Sequence, residues 1–258
     1  MAREPLSLVV TTYNSAATLA RCLDSAAFAD EIVVLDSGST DATLAIAAAR
    51  GARIAAHAFD DYGPQKQRAI DLARHDWVLL LDADEALTPA ARGAIESALV
   101  APRAAGFRLP RRELMFWTFQ HRFSRINTHL RLFDRRRVRM NAVPVHAAPV
   151  SDAPLRTLRR AVFLHYGEPD IATKVAKINA YSSGLVAHKQ AQRTPFVRTR
   201  MLLYPPVFFL RQYLGKRYLL NGWAGFISAA TGACYVFLKY AKLHEARVQA
   251  ARRDARDQ

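Results

Sequence analysis

The chain of 258 residues carries a net charge of +15 and is 51% apolar, with 10% aromatic residues. This composition excludes a disordered protein, and the length suits one α/β domain with an appendage or two small domains. The two cysteines, Cys22 and Cys234, are far apart and lack metal-ligand spacing, which argues against a disulfide scaffold and favours a reducing compartment.

Strand and helix patterns alternate along the first hundred residues. Short apolar runs predict strands over residues 6–12, 31–37, 52–59 and 76–82. Apolar residues at helical spacing predict helices after Ser15, over residues 64–75 and after Thr88, with Ser15 and Thr88 as N-caps. This alternation predicts βαβ units, and therefore an α/β fold with a mainly parallel sheet and flanking helices. The first strand is not preceded by a basic segment followed by an apolar one, which is the pattern of a secretory signal peptide, so we expect a cytoplasmic protein.

Polar residues stand where three of these strands end. They are Thr11-Thr12-Tyr13-Asn14, Asp36-Ser37-Gly38-Ser39-Thr40-Asp41 and Asp82-Ala83-Asp84-Glu85. Each stretch alone is also ordinary turn chemistry, because Asp, Ser, Gly and Thr favour turns. Ligands bind at the carboxyl ends of parallel strands, so three such stretches in order predict a ligand site.

The segment from Asp82 to Glu85 places three carboxylates within four positions. Clustered like charges repel one another unless a cation lies among them. Two carboxylates in an Asp-x-Asp pattern suit Mg²⁺ or Mn²⁺, which keep coordination positions open for phosphate oxygens. The pattern therefore predicts a metal-bound diphosphate, which is a good leaving group because the cation offsets its developing charge.

Beyond residue 100 the alternation fades and basic residues accumulate. Residues 1–100 contain 8 Lys and Arg against 14 Asp and Glu, a net of −6, whereas residues 101–258 contain 29 against 8, a net of +21. Eleven arginines and two acids lie in residues 103–139. Such a region suits an anionic membrane, a phosphorylated acceptor or a nucleic acid, although many of these charges can be ordinary solvated surface. The sequence holds no RNP-like aromatic motif, so we expect no nucleic-acid partner.

The rest of the chain predicts strands at residues 104–112, 129–140 and 161–166, a helix at residues 171–188, and an apolar C-terminal part. Residues 218–238 are uncharged and long enough to span a bilayer. Their polar residues and one-sided apolar groups favour an amphipathic helix in the membrane plane over a span, and a helix packed on the core is an equal alternative. Pro205 and Pro206 are expected to break any helix through residues 201–210.

The segments "VVTTYNSAATLARCLDSA", "EIVVLDSGSTDATLAIA", "GPQKQRAIDLARHDWVLLLDADEAL", "LRLF" and "PVH" resemble family-2 glycosyltransferases of the GT-A fold. Within that family they are most similar to the lipopolysaccharide inner-core β-1,4-glucosyltransferase group. The resemblance implies a glycosyltransferase domain over residues 1–190, with a nucleotide-sugar part (1–100) and an acceptor part (101–190). Residues 191–258 would form a basic, apolar helical extension that associates with a membrane.

The resemblance also implies roles for individual residues. Lys66 would lie near the donor, Asp82 against the ribose, and Asp84 on the metal ion, Mg²⁺ or Mn²⁺. Glu85 would orient metal-bound waters or serve at a helix entry. The residues implied to bind the nucleotide sugar are Thr12, Tyr13, Asn14, Asp36, Ser37, Lys66, Asp82 and Ala83.

The general base departs from the family pattern. Inverting transfer needs a base that takes a proton from the acceptor hydroxyl. Related sequences carry acids where this chain has Asn127 and Ala147, so the base is not assigned by motif. Our leading candidates are Glu113 and His146. Further candidates are His165, Glu168 and Asp170.

The sequence thus favours a metal-dependent, inverting glycosyltransferase that moves a hexose, with glucose favoured, from a UDP-sugar to a lipopolysaccharide core acceptor. An anionic, lipid-linked acceptor would place the protein peripherally on the cytoplasmic face of the inner membrane. One alternative is a polyprenyl-phosphate glycosyltransferase, whose phosphate nucleophile needs little base assistance. Another is a non-catalytic protein that binds nucleotide sugars or scaffolds a membrane.

Overall fold

The computed structural model describes residues 2–141, 147–167 and 169–255, and the chain divides into two compact units. Unit 1 comprises Met1–Arg112 and Asn127–Gly167, and unit 2 comprises Glu113–Ile126 and Glu168–Gln258. Unit 2 thus includes the helix over residues 171–191, which packs with the C-terminal helix. The expected glycosyltransferase domain over residues 1–190 and extension over residues 191–258 stay predictions.

Strands and helices alternate over the first hundred residues; the described elements that follow are strands up to residue 165 and helices after it. The strands are β1 (Leu6–Thr12), β2 (Glu31–Asp36), β3 (Arg53–Ala56), β4 (Trp77–Asp82), β5 (Glu85–Leu87), β6 (Gly106–Met115), β7 (Thr118–Phe119), β8 (Asn127–Asp134), β9 (Arg139–Met140), β10 (Pro149–Val150), β11 (Leu155–Thr157) and β12 (Phe163–His165). The helices are α1 (Leu19–Ser25), α2 (Thr43–Ala48), α3 (Tyr62–Asp71), α4 (Pro89–Val100), α5 (Ile171–Ala191), α6 (Val197–Leu210) and α7 (Gly222–Asp254).

The main sheet has the strand order β3-β2-β1-β4-β8-β6-β12-β5. Strands β3, β2, β1 and β4 are parallel, while β8 runs antiparallel to both β4 and β6. Strand β5 continues the chain directly after β4 but pairs antiparallel with β12. The predicted α/β class, with a mainly parallel sheet and flanking helices over the first hundred residues, is confirmed.

The first strands form because both of their faces are apolar and both are covered. In β1, Leu8 and Val10 lie in one buried cluster and Val9 lies in another. In β4, Leu79 and Leu80 divide between the same two clusters. Successive side chains of a strand point to opposite faces, so a continuous apolar run is what a sheet with helices on both sides requires.

Helix α1 begins later than its predicted cap. It starts at Leu19 after Thr18, and the Ser15 side chain caps no helix N–H. Instead the Ser15 carbonyl accepts hydrogen bonds from the N–H groups of Thr18 and Leu19. The predicted apolar face is confirmed, since Leu19, Cys22 and Leu23 are buried. The cap prediction was wrong because a turn through residues 15–18 intervenes before the helix.

Unit 2 is built around three helices. The buried residues Val197, Val236, Tyr240 and Leu243 join α6 to α7. Helix α5 lies against α7, where the Lys242 ammonium donates to oxygens of Asn179, Ser182 and Ser183. The expected helix over residues 171–188 is therefore present as α5.

The two adjacent prolines do not break α6. Pro205 and Pro206 lie inside this helix, contrary to expectation, and a π-helical turn over Arg211–Gly215 follows it directly. A proline removes one backbone hydrogen bond and crowds the preceding turn. Here α6 packs on α7 on both sides of the prolines, through Val197 and Phe208, so tertiary packing outweighs the local preference.

The apolar segment 218–238 begins with a 3-10 turn over Tyr218–Asn221 and continues as the first half of α7. Its small residues face the interior. A Cβ atom on Gly225 would lie 1.9 Å from the Tyr218 carbonyl oxygen, and one on Gly232 would lie 2.8 Å from the Phe208 ring. Among the helices that the structure describes, none combines the length and the apolar character needed to cross a bilayer.

Candidate active site

The three polar strand ends meet at one edge of the sheet, as predicted. In the parallel register, Thr12 lies beside Asp36 and Thr11 lies beside Asp82. The order β2-β1-β4 thus brings the loops after these strands together, although the loops are far apart in the sequence. Such an edge is where parallel α/β sheets bind ligands.

Asp36 organises the loop after β2. Its side chain is buried, and its carboxylate accepts hydrogen bonds from the N–H groups of Gly38 and Ser39, both at 2.8 Å, and from the Ser39 hydroxyl. Gly38 has φ +95°, a left-handed conformation that favours glycine. The sequence Asp-Ser-Gly-Ser is therefore a preformed turn, and a contact between Asp36 and a uracil or ribose stays a prediction.

Asn14 ties the loop after β1 to the loop after β2. Its side-chain oxygen accepts the Thr40 N–H at 2.8 Å, and its own N–H donates to the Ser39 hydroxyl at 2.8 Å. Beside it the Tyr13 ring is 61% exposed, which leaves a planar surface open at this edge. Thr12 differs, because its buried hydroxyl has no hydrogen-bond partner within the residues the structure describes. Of these three predicted residues, Tyr13 and Asn14 are the ones that reach the surface of the edge.

A buried glutamine positions helix α3 against the same edge. The Gln65 amide donates at 3.0 Å to the Ser37 hydroxyl and at 3.0 Å to the His57 carbonyl. Ser37 thus has a partner on α3 as well as its place after β2. This contact fixes the start of α3, and the next residue along the helix is Lys66.

Asp82 lies between two cations supplied by the protein. One carboxylate oxygen pairs with the Lys66 ammonium, and the other lies 2.9 Å from the Arg131 guanidinium. Burial by itself raises the pKa of Asp82, but the charges of Lys66 and Arg131 outweigh it and hold that pKa well below its ordinary value. Asp82 is therefore an ionised hydrogen-bond acceptor at neutral pH.

Glu85 holds the acidic segment together from inside the protein. Its side chain is fully buried, pairs with Arg131, and accepts the Asp82 N–H at 3.0 Å. A second guanidinium, that of Arg111, lies 3.7 Å away. The expected role at a helix entry is wrong, because Glu85 begins strand β5, and a role in orienting metal-bound water stays a prediction. The repulsion between Asp82 and Glu85 is offset by Arg131, which bridges them.

Asp84 lies in the turn between β4 and β5 and faces a histidine. Its carboxylate is 3.3 Å from His165 Nε2, and its carbonyl accepts the Tyr166 N–H at 2.8 Å. Gly167 closes over this pair. A Cβ atom there would lie 2.5 Å from the His165 ring and 3.2 Å from the Asp84 carboxylate. Only glycine leaves room for the imidazole in this position.

The chemistry of this pair fits one divalent cation. The described residues contain no group of three or more His, Cys, Asp and Glu side chains placed to share a metal ion. Asp84 and His165 would therefore supply one oxygen and one nitrogen, leaving the other positions to phosphate oxygens and water. Mn²⁺ accepts both ligand types, and Mg²⁺ commonly binds through one or two carboxylates and substrate phosphates.

The candidate bases that the structure describes lie on different elements. Glu113 belongs to unit 2, where it is half-buried on β6 and its N–H donates to the Gln120 side chain at 3.0 Å. His146 and Glu168 lie outside the described residues. Asp170 caps α5 by accepting the Thr173 N–H, which lowers the pKa of this carboxyl and makes it a weaker base.

Sequence reasoning missed two functions at this edge. Arg131, within "LRLF", carries no predicted role of its own, yet it is the cation that bridges Asp82 and Glu85. An arginine between Leu130 and Leu132 in an apolar strand was the available signal, because a buried guanidinium requires a partner. His165 was considered only as a base, and its pairing with Asp84 depends on β12 lying against β5.

Comparisons with known proteins agree with this architecture. Residues 7–165 match the family described as Glycosyl transferase family 2. The lipopolysaccharide core biosynthesis glycosyltransferase LpsC of Rhizobium meliloti (strain 1021) is 32% identical over 262 residues, covering 98% of this chain and 97% of the relative. An uncharacterized glycosyltransferase of Rickettsia bellii (strain RML369-C) is 29% identical, covering 95% of this chain and 87% of the relative.

Solved structures resemble a smaller part of the chain. A glucosyl-3-phosphoglycerate synthase from Mycobacterium tuberculosis, crystallised with Mn²⁺ and UDP-glucose, is 26% identical over 43% of each chain, with a TM-score of 0.35. A mannosyl-3-phosphoglycerate synthase from Rubrobacter xylanophilus is 25% identical over 43% of this chain and 41% of the other, with a TM-score of 0.38. These matches span less than half of each chain and assign no residue roles.

Proposed function

The chain belongs to glycosyl transferase family 2, and on this premise we propose that it transfers a hexose from a UDP-sugar to a lipopolysaccharide core acceptor. Glucose is the favoured hexose, and the reaction inverts the anomeric centre. One observation supports the donor site above all: Asp82, paired with Arg131, and Asp84, paired with His165, lie together at the carboxyl edge of the parallel strands.

On the donor side, each residue has a separate task. Tyr13 and Asn14 offer a ring and an ordered loop for the nucleotide base, with Asp36 and Ser37 in the neighbouring turn. Asp82, held ionised by Lys66 and Arg131, accepts hydrogen bonds from ribose hydroxyls. The side chain of Ala83 is buried in the apolar cluster of the sheet, so a contact with the donor would come from its backbone. The carboxylate is fixed before the donor binds, so little ordering is required on binding.

Asp84 and His165 would hold the divalent cation, Mg²⁺ or Mn²⁺. When bound, the cation would offset the negative charge that develops on the leaving diphosphate. Gly167 keeps the imidazole in place, and the turn between β4 and β5 keeps the carboxylate in place. The protein's own contribution is thus to fix two ligands while leaving positions open for the substrate.

On the acceptor side, Glu113 and His146 are the proposed bases. Either would take the proton of the acceptor hydroxyl as this oxygen attacks the anomeric carbon. The arginine-rich residues 103–139 suit the phosphates of an inner-core lipid acceptor, and the similarity to LpsC supports an acceptor of this class. Such an acceptor would place the enzyme peripherally on the cytoplasmic face of the inner membrane.

The test is UDP release from a UDP-hexose in the presence of a deep-rough lipopolysaccharide acceptor, with Mn²⁺ or Mg²⁺ supplied. We expect Asp84→Asn to lower kcat by about a hundredfold or more, because the diphosphate loses a charge-stabilising ligand. Asp152→Asn, which changes an exposed acid elsewhere on unit 1, is the matched control and should keep full activity. Equal turnover of Asp84→Asn and wild type would exclude the metal role.

One alternative acceptor has specific support. The resemblance to the family implies acids at the positions of Asn127 and Ala147, which carry none here. A polyprenyl phosphate would need little help from a base, because its phosphate oxygen is already anionic. The two acceptors can be compared in the same UDP-release assay. Turnover with polyprenyl phosphate alone would replace the lipopolysaccharide proposal, and UDP binding without turnover on either acceptor would indicate a non-catalytic protein.

A further inference from the structure

Helix α6 presents an exposed apolar stripe. Leu203, Val207 and Leu210 are exposed at 57%, 62% and 53%, and Leu214 in the following π-helical turn is exposed at 54%. The spacing of three to four residues places these side chains on one face of the helix. The opposite side of α6 packs on α7 through Val197 and Phe208. The stripe is therefore the outer face of a helix whose inner face is already used.

The stripe continues across an aromatic cluster to the start of α7. The Phe226 ring lies 5.6 Å from Phe209, 5.9 Å from Tyr213 and 5.8 Å from Trp223, measured between ring centroids. Trp223 itself is 75% exposed. We call Leu203, Val207, Leu210, Leu214 and Trp223 the α6 face. A contiguous apolar surface of this kind on a folded protein marks an interaction site.

The part of the sequence that contains the α6 face carries charges of one sign. Residues 171–244 contain eleven Lys and Arg and no Asp or Glu. Arg198, Arg211 and Arg217, which lie before, at and after the stripe, are exposed. An apolar centre with a rim of cations complements a surface that is apolar within and anionic at its border.

We propose that the α6 face docks in the plane of an anionic lipid bilayer, with its leucines and Trp223 in the acyl boundary and the arginines at the phosphates. This assignment differs from the sequence expectation, which placed the in-plane helix at residues 218–238. In the structure, the small residues of that segment, such as Ala224 and Ala229, are buried, and α6 carries exposed apolar residues outside it, such as Leu203 and Val207.

A second copy of the chain fits this surface less well. In a two-fold dimer the same face would meet itself, so the exposed Arg198, Arg211 and Arg217 of one copy would oppose those of the other. An anionic bilayer instead neutralises the rim. Docking of this kind does not depend on sugar transfer, so it can be tested on the full chain without donor or acceptor.

The first experiment measures co-sedimentation of the full chain with vesicles of phosphatidylcholine, with or without about one third phosphatidylglycerol. We expect binding to the anionic vesicles that falls as salt rises. The double variant Val207→Asp and Leu210→Asp should bind at least about tenfold more weakly, since two charges would enter the acyl boundary. Val100→Asp, at an exposed apolar residue of unit 1, is the control and should bind like wild type.

A second measurement remains informative if the double variant folds poorly. In a Trp117→Phe background, Trp223 is the exposed tryptophan, and lipids brominated near the top of the acyl chains should quench it. No quenching, or equal binding to neutral and anionic vesicles, would overturn the proposal. So would a wild-type dimer in sedimentation equilibrium that the double variant abolishes. Loss of UDP release with intact vesicle binding would instead refute only the proposed reaction.

Discussion

The bridge formed by Arg131 gives the sharpest prediction about how the site is held together. Replacing Arg131 by Met keeps an apolar stem of similar length in β8 but removes the charge between Asp82 and Glu85. Asp82 keeps Lys66 as a partner. Glu85 keeps only the more distant Arg111, at 3.7 Å, so the main cost is a buried carboxylate that has lost its closest cation.

The magnitude follows from burial. The side chains of Arg131 and Glu85 are 7% and 0% exposed, and removing one partner of such a buried pair costs about 3–5 kcal/mol of unfolding free energy. Because Arg111 remains nearby, we expect a cost of about 3 kcal/mol, at the lower end of that range. With a urea m-value of about 2 kcal/mol per molar, the unfolding midpoint should fall by about 1.5 M.

The assay is urea unfolding followed by circular dichroism. Arg92→Met is the control, because Arg92 and Glu96 form an exposed pair on α4 whose loss should cost only about 0.5 kcal/mol. Adding Glu85→Gln to Arg131→Met removes the charge that has lost its closest cation, and it should restore about 1 kcal/mol or more of the unfolding free energy. The reasoning is refuted if Arg131→Met costs no more than Arg92→Met, or if Glu85→Gln restores nothing.

Two further predictions concern the rest of the edge. Gly167→Ala should raise the Mn²⁺ concentration needed for half-maximal UDP release by about tenfold or more, because the Cβ atom of the alanine would displace the His165 ring. Gly51→Ala, in the turn before β3, is the control and should leave this Mn²⁺ concentration unchanged. Asp82→Asn should lower stability at pH 7, and the difference from wild type in urea unfolding should narrow as pH falls below about 4. The sign follows from the lowered pKa of Asp82, whose stabilisation is present above the unfolded-state pKa and is lost as pH falls towards the folded-state value. A stability difference between Asp82→Asn and wild type that widens in acid would contradict this prediction.

The sequence predicted the meeting of the polar strand ends well because its signals are local. Short apolar runs such as residues 77–81 are typical of strands buried on both faces, and polar residues follow them directly. Parallel pairing then brings Thr12, Asp36 and Asp82 together without further information. The helix after Thr88 followed from its N-cap and first-turn residues, and the helix α5 followed from local apolar spacing.

Other features depended on packing between distant segments. Pro205 and Pro206 have a strong local preference against a helix interior, yet α6 continues through them because it packs on α7. The unit boundary lies after Gly167 because α5 joins α7, and no change of composition marks that point. Neither outcome could be obtained from spacing alone, since each depends on which helices meet.

The sequence by itself determined the parallel strands, the acidic strand ends and the strongly basic second half, because these depend on neighbouring residues and composition. Only the tertiary structure decided which cationic side chains pair with the acidic cluster. Lys66 comes from α3 and Arg131 from β8, and His165 reaches Asp84 only because β12 pairs with β5. Charges interact through space rather than along the chain, so the partners of Asp82, Asp84 and Glu85 became visible only once the strands were in register.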